Sequence, residues 1–469
     1  MVAIITDKIK KQLAQGVLDE FAGQLPGDSN NHYYVAVSRS QIWDPDAKTD
    51  VSPAPTATER DERTFRYSMQ SVKKVEGMSF VVPLYDWATN QIYSQFSDAV
   101  EGHPAQSYYV RTSDSRVYLC IRTGKNATGV NQVSTVEPTH TKNDPPVEAD
   151  GYVWKFMYTI FVTGANRFLS SNFMPVKFVD SASPISLDFQ QFQVQSNAVK
   201  GQIVGYRVID GGGAYSSEPT VTVVGNGTNA KGRAILSSSG AIAAVEVGDS
   251  AGASILNSMG SGYKFASVNV DTSNLVAGGT AAEVVPVFGP EKGLGGDPTD
   301  DLRTTAIMLN IKPEGKVQDT WVVDNDYRQI GVLKNPKQFV NDSADFTATQ
   351  GLALNQMKLT SSPGAGNISF AGDIEMTGDS TSAKAFLDYF DDSNTLWYHQ
   401  TDYTGFTPFK DGETVTVQGY TATTLTIDSA LSPPNLDRHS GDLLYIDNRA
   451  TATTRDAAQT EDIKVVIKL

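Results

Sequence analysis

Apolar positions along this chain recur mostly at every second residue. Ile463, Val465, Ile467 and Leu469 alternate with Lys464 and Lys468. That pattern predicts a half-buried strand with its apolar face turned one way and its lysines the other, its end tied into a sheet. Leu443–Ile446, bounded by Gly441 and Asn448, reads as a strand between turns. Strands are also predicted at Tyr33–Ser38, Phe80–Val82, Tyr108–Arg111, Arg116–Arg122 and Trp154–Phe161, with a hairpin turn at Thr112–Ser115. Helical spacing is convincing in two places. Ile9, Leu13, Val17 and Phe21 share a face after a capping Thr6, with Gly23 as a stop. After Pro53 and Pro55, Thr56 and Glu59 fit a capping box, and Phe65, Met69 and Val72 fall on one side.

Two stretches change character. In 199–289 Gly, Ser, Ala and Val dominate, and a pattern occurs twice. Ile203–Val208 leads to Gly213, Tyr215 and Pro219–Val223; Ile242–Val247 leads to Gly260, Gly262, Tyr263 and Ser267–Val270. Strand, Gly-rich turn, Tyr, strand is a small internal repeat whose two copies must pack on each other or on a body. In 341–432, Phe386–Phe390 and Thr395–His399 flank the turn Asp391–Asn394, and Glu413–Val417 and Thr423–Ile427 add two strands. A small barrel or sandwich is expected there. The domain organisation is therefore a body in three parts (1–198, 290–340 and 433–469) carrying two inserted all-β modules, 199–289 and 341–432. The expected fold is mainly β with a few helices.

Composition narrows the function classes. The 469 residues carry a net charge of −15 without a basic block, which argues against nucleic-acid binding. No apolar run is long enough to span a membrane as a helix, and Met1–Lys11 lacks the pattern of a signal peptide. One cysteine, Cys120, excludes an internal disulfide framework; within Val117–Ile121 it reads as a core residue. The five histidines show no metal-binding spacing, and no nucleophile elbow is present. Gly124-Lys125-Asn126 is not a phosphate loop, and Gly293–Pro298 reads as a linker. Asp388, Asp391 and Asp392 are carboxylates available to a glycosidase or calcium, with a solvated turn as the plainer reading. His399 beside Asp402 suggests a base and its orienter, yet no activated nucleophile accompanies them. No catalytic residue, cofactor or metal is assigned.

Four segments, in order, carry a family resemblance. They are Ser38-Arg39-Ser40 with Trp43; Asp150-Gly151-Tyr152-Val153-Trp154-Lys155; Tyr327-Arg328-Gln329-Ile330 with Lys334-Asn335-Pro336; and Arg438-His439-Ser440-Gly441-Asp442 with Tyr445, Asn448-Arg449 and Gln459-Thr460-Glu461. Together they resemble the gene-product-eight baseplate wedge proteins of T-even-like contractile phages. The resemblance implies a layered β-sandwich body with helix-bearing loops, a homodimer, and a structural role in contacts with other wedge proteins during baseplate assembly and rearrangement. The location it implies is the virion tail, and the host cytoplasm during assembly. Arg39, Trp43, Trp154, Arg328, Arg438 and Tyr445 are the candidate interface or fold-pinning residues. The alternative from another class is a glycan- or receptor-binding tail protein, because the Gly-Tyr module and the aromatic hairpins offer sugar-binding surfaces.

Overall fold

In the computed structural model, residues 4–23, 31–44, 51–250, 254–313, 321, 323–364, 368, 374–421, 423–456 and 459–469 are described. Among the described residues the chain is mainly β, with 40% strand, 11% helix and six helices. It forms two compact units. The first holds Met1–Gln15, Ser79–Met308 and Val466–Leu469; the second holds Gly16–Met78 and Leu309–Val465. The residues expected to make one body are thus divided between the units.

Both predicted helices form, with corrected ends. α1 spans Asp7–Phe21, but Ala14 is its one buried residue, and Ile9 and Leu13 are exposed. α2 spans only Glu59–Tyr67 and is capped by Thr58, whose side chain accepts from the Asp61 N–H, rather than by Thr56. Met69 and Val72 lie on the strand Met69–Lys74, not on the helix, and reach the same core as Phe65 from there. The short helices Val162–Phe168, Phe189–Ser196, Ile255–Ser258 and Pro298–Asp301 span too few turns to leave a periodic signal.

In the first unit, Tyr109–Arg111, Arg116–Arg122 and Val153–Thr159 form an antiparallel meander. Tyr93, Tyr118, Cys120, Tyr152, Trp154 and Val194 make its core. Cys120 is fully buried and burial pushes its thiol pKa up, so it is a packing residue and not a nucleophile.

The Gly-Tyr module belongs to this unit, and its repeat is structural as well as sequential. Gly212 (φ 60°) and Ala214 (φ 62°) precede Tyr215, as Gly260 (φ 65°) and Gly262 (φ 77°) precede Tyr263. Both tyrosines are buried. The Tyr215 hydroxyl accepts the Ala282 N–H (2.9 Å), and the Tyr263 hydroxyl accepts the Ala230 N–H (3.3 Å). The strand that follows each copy pairs with the other copy's opening strand: Thr228–Leu236 with Ile242–Val247, and Glu283–Phe288 with Ile203–Asp210. The equivalent strands Thr220–Gly225 and Ala266–Val270 pair antiparallel, with Val223 opposite Val268. The copies therefore pack on each other about a local two-fold, exchanging strands.

The second unit is built on an antiparallel sheet in the order Gln350–Leu352, Met69–Lys74, Tyr33–Ser38, Asp326–Lys334, Asp442–Thr454. Tyr33–Ser38 is buried at all six positions, which suits a central strand covered on both faces. Tyr34, Phe65, Met69, Leu333, Phe346 and Leu436 fill the core on one side. Within the 341–432 stretch, the strands from Asn355 to Ser432 close into a six-stranded barrel around Met357, Met376, Leu387, Leu396, Val415 and Ile427, while Gln350–Leu352 joins the sheet.

The strand Ile463–Lys468 is present, but the expected four-residue apolar face is not. Val465 alone on it is buried, Leu469 is 39% exposed, and Val466, from the other face, packs with Val81, Ala306 and Met308. It is an edge strand, covered less completely than the alternation implies.

The paired turns of the module make a prediction. A Cβ at Gly212 would collide with the Thr280 carbonyl oxygen, and one at Gly260 with that of Thr228, whereas Gly278 (φ 86°) faces open space. Gly278→Ala should cost only the left-handed strain of about 1–2 kcal/mol. Gly212→Ala and Gly260→Ala should each cost at least about twice that, by similar amounts. Calorimetric melting of the three variants checks the order; equal losses at all three would contradict the equivalence of the turns.

Candidate functional site

The residues with chemistry to offer fall in three places. The first is in the barrel. The pairing of Lys384–Phe390 with Thr395–His399 shifts register between Leu387 and Tyr389. Asp388 is the extra residue of that bulge, and a bulge re-aims a side chain. It meets His399 with Nδ1 2.5 Å from Oδ2. Asp388 Oδ1 also accepts Asn325 Nδ2 (3.2 Å) and Ser40 Oγ (3.4 Å). His399 Nε2 lies 3.0 Å from Gln41 Nε2. With Gln41 Nε2 as the donor, His399 Nε2 accepts and Nδ1 donates to the Asp388 carboxylate.

This is the geometry of an orienting acid and a base. The partner of His399 is thus Asp388, not Asp402. However, both side chains are fully buried, and the nitrogen a nucleophile would need is occupied by Gln41. The pair ties the barrel to residues 40–41 and 325 of the same unit. Asp391 caps its turn by accepting the Ser393 and Thr395 N–H groups at 2.9 and 3.0 Å, and Asp392 holds a left-handed φ of 59° in the same turn.

The second place is the Gly-rich loop before Pro298–Asp301. Gly293–Thr299 is buried rather than a surface linker. Its N–H groups are used internally: Gly293 donates to Pro290 O, Gly296 to Gly293 O, and Gly295 to Asp301 Oδ2 at 2.7 Å. A phosphate cradle needs those donors free. Asp301 is completely buried, and its Oδ1 has no hydrogen-bond partner among the described residues. Burial raises its pKa well above the ordinary carboxylate value, outweighing the Gly295 N–H. Lys155, at the end of the second family-like segment, is 4% exposed and donates to Asn143 Oδ1 at 2.8 Å. Burial brings its pKa down to about 8.

The third place joins the family-like segments. Ser38–Ser40 and Trp43, Tyr327–Ile330, and Arg438–Arg449 are far apart in sequence but contiguous in the sheet of the second unit. Arg39, in a left-handed conformation, donates to Ile42 O (2.9 Å) and lies 4.5 Å from the Trp43 ring. Trp43 Nε1 donates to Arg449 O (2.9 Å). Arg328, 5% exposed, donates to Ser40 O. Gln329 Nε2 donates to Asn448 Oδ1 (2.9 Å). Arg438, 9% exposed, donates to Tyr67 O (3.0 Å). Tyr445 is half-buried opposite Val332. Trp154 lies in the first unit, fully buried and stacked on Tyr152 at 5.6 Å.

The residue that closes this cluster is Arg66 of α2, which sequence reasoning missed. Its guanidinium donates to Arg438 O (2.9 Å), Ser440 O (2.7 Å) and Gly441 O (2.8 Å), and twice to Glu62 Oε1. All five N–H donors are used. A helix arginine with Glu four residues earlier reads as a surface pair, and nothing local reveals the three distant carbonyls.

Among the described residues, no group of three or more His, Cys, Asp or Glu is arranged to hold a metal ion. Nor is any helix among them long and apolar enough to cross a membrane. No protein-family model matches this chain, and no curated protein matches it.

The buried acid sets a pH dependence. Asp301 binds its proton more tightly in the folded state, so its contribution to stability is full below the ordinary value of about 3.9 and is lost as pH rises through the raised one. Asp301→Asn keeps the shape and cannot ionise. It should gain on the natural protein by up to about 1.4 kcal/mol per pH unit across that window, and the gain should vanish near about pH 4. Urea unfolding across the pH range checks this; a variant less stable than the natural protein at neutral pH would contradict it.

Proposed function

We propose that this protein is a structural subunit of a contractile-tail baseplate wedge, working as a homodimer by association with other wedge proteins and not by turnover. The observation that carries this reading is the meeting of three family-like segments. Residues 40–43, 328–329 and 448–449 hydrogen-bond to one another on and just beyond neighbouring strands. A resemblance made of scattered residues gains weight when those residues form one physical cluster. The arginines of the cluster bond to backbone of their own chain, which suits fold-pinning rather than a catalytic role.

The site chemistry supports the same reading. The Asp388–His399 pair is sealed, the Gly-rich loop has committed its donors, and Cys120 is buried. Uncovered apolar surface supports association. Ile5, Ile9 and Leu13 follow helical spacing at the N-terminal end and are 62%, 49% and 58% exposed. Such a stripe seeks a partner. Obligate contacts bury about 2,000 Å² or more, so the stripe would form the dry centre of a larger contact. The location that follows is the virion tail, after assembly in the host cytoplasm.

The experiment is mass measurement by light scattering. The natural protein should be a dimer at micromolar concentration. Ile9→Asp with Leu13→Asp should shift it to monomer, with helix content and melting of the second unit unchanged. A stable natural monomer would contradict the dimeric reading.

A further inference from the structure

The first unit carries a groove that the proposed assembly role does not use. Its floor is the irregular stretch Leu84–Tyr93, which is pinned from both sides. Trp87 N–H donates to Arg111 O (2.8 Å) and Arg111 N–H to Tyr85 O (2.7 Å). Asn90 N–H donates to Ser134 O (2.8 Å) and Ser134 N–H to Gln91 O (2.7 Å). Two open depressions flank this floor, of about 460 and 630 Å³, and share Asp86 and Ala88 as a common wall. Each lies in the usual range of ligand sites, about 300–1,000 Å³.

The lining has a consistent chemistry. One depression offers Trp87, Asp86, Arg111, Thr89 and Glu137; the other offers Tyr85, Asn90, Gln91 and Gln106. Several polar groups are held in place. Asp86 takes Arg111 Nε and Nη2 at 2.7 and 3.0 Å, one on each oxygen, and remains 55% exposed. Each carboxylate oxygen keeps lone-pair capacity for a further donor. Glu137 Oε1 is fixed by the Ser113 N–H (2.7 Å), and Trp87 Nε1 by Ser134 Oγ (3.2 Å). Asn90 is held at a left-handed φ of 65°. Asn90, Gln91 and Gln106 are exposed. Trp87, Asp86, Arg111 and Glu137 are thus held in place, with the exposed residues Asn90, Gln91 and Gln106 beside them.

We propose that this groove binds a neutral oligosaccharide. Aromatic faces stack on the C–H faces of pyranose rings, and planar amide and carboxylate groups pair with vicinal hydroxyls. Anionic polymers are disfavoured, because the single guanidinium is neutralised by Asp86 and Glu137 adds a further negative charge. Leu84, Ile92 and Val133 line the second depression beside these polar groups. The two depressions lie side by side across Asp86 and Ala88, with room for more than one sugar unit. The module tyrosines that sequence reasoning offered for sugars are unsuitable, since Tyr215 and Tyr263 are buried with their hydroxyls bonded internally.

Labelled full-length protein on an array of neutral, sialylated, sulfated and phosphorylated glycans tests this, with titration of the retained class followed by saturation-transfer NMR. Retention of neutral glycans over charged ones is expected. Asn90→Gly with Gln91→Ala keeps the left-handed backbone and removes two exposed amides, and should weaken binding by about tenfold or more with unchanged melting. Trp87→Phe should weaken it as well; if that variant melts early, the double variant decides. Failure of every neutral glycan to bind, preference for charged glycans, or affinity unchanged in the double variant would overturn the proposal.

Discussion

The second unit depends on one kind of interaction: a buried guanidinium that satisfies backbone carbonyls of loops the sheet alone does not order. Arg66 does this for three carbonyls between Arg438 and Gly441, Arg438 for Tyr67, and Arg328 for Ser40. A buried carbonyl left unpaired costs about 1–3 kcal/mol, so the loops stay in place only while the arginines do. Arginine suits this work because its charge persists on burial and its donors spread in a plane. Lysine, with three donors on one nitrogen, cannot satisfy the three carbonyls and the Glu62 carboxylate at once. Burial lowers the Arg438 pKa, with the Asp388 charge opposing, so the barrel carboxylate and the clamp share an electrostatic environment.

Much of the fold was legible because alternation and turn residues act locally. The hairpin at Thr112–Ser115, the strand Tyr33–Ser38 and the turn at Asp391–Asn394 each follow from a few adjacent residues. The repeat around Tyr215 and Tyr263 was visible too, although its strand exchange was not, since pairing partners are a tertiary matter. Errors arose where one pattern serves two structures. Phe65, Met69 and Val72 fit a helical face, yet Ser68 ends the helix and the core is reached from a strand. The C-terminal alternation looked like a buried face, but an edge position leaves Leu469 partly in water.

The candidate chemistry was less legible, for a physical reason. Asp388 reaches His399 only because a bulge turns it inward, and bulges leave little trace in a single sequence. Asp301 and Lys155 look like ordinary surface charges, and their burial comes from the Gly-rich loop closing around them. The groove over Leu84–Tyr93 is assembled from stretches tens of residues apart. In contrast, the arginines of the family-like segments were identified as candidates, and the structure gives each a backbone acceptor in its own chain.

The most direct measurement is native-state hydrogen exchange on Arg66→Met. This substitution keeps the apolar stem and removes all five donors. If the clamp holds the sheet, amides across Asp326–Lys334 and Asp442–Thr454 should lose protection together, by about 3 kcal/mol or more. Amides of the first unit's Arg116–Arg122 strand should be unchanged. Faster exchange confined to residues 438–441, with the two strands as protected as before, would contradict the account.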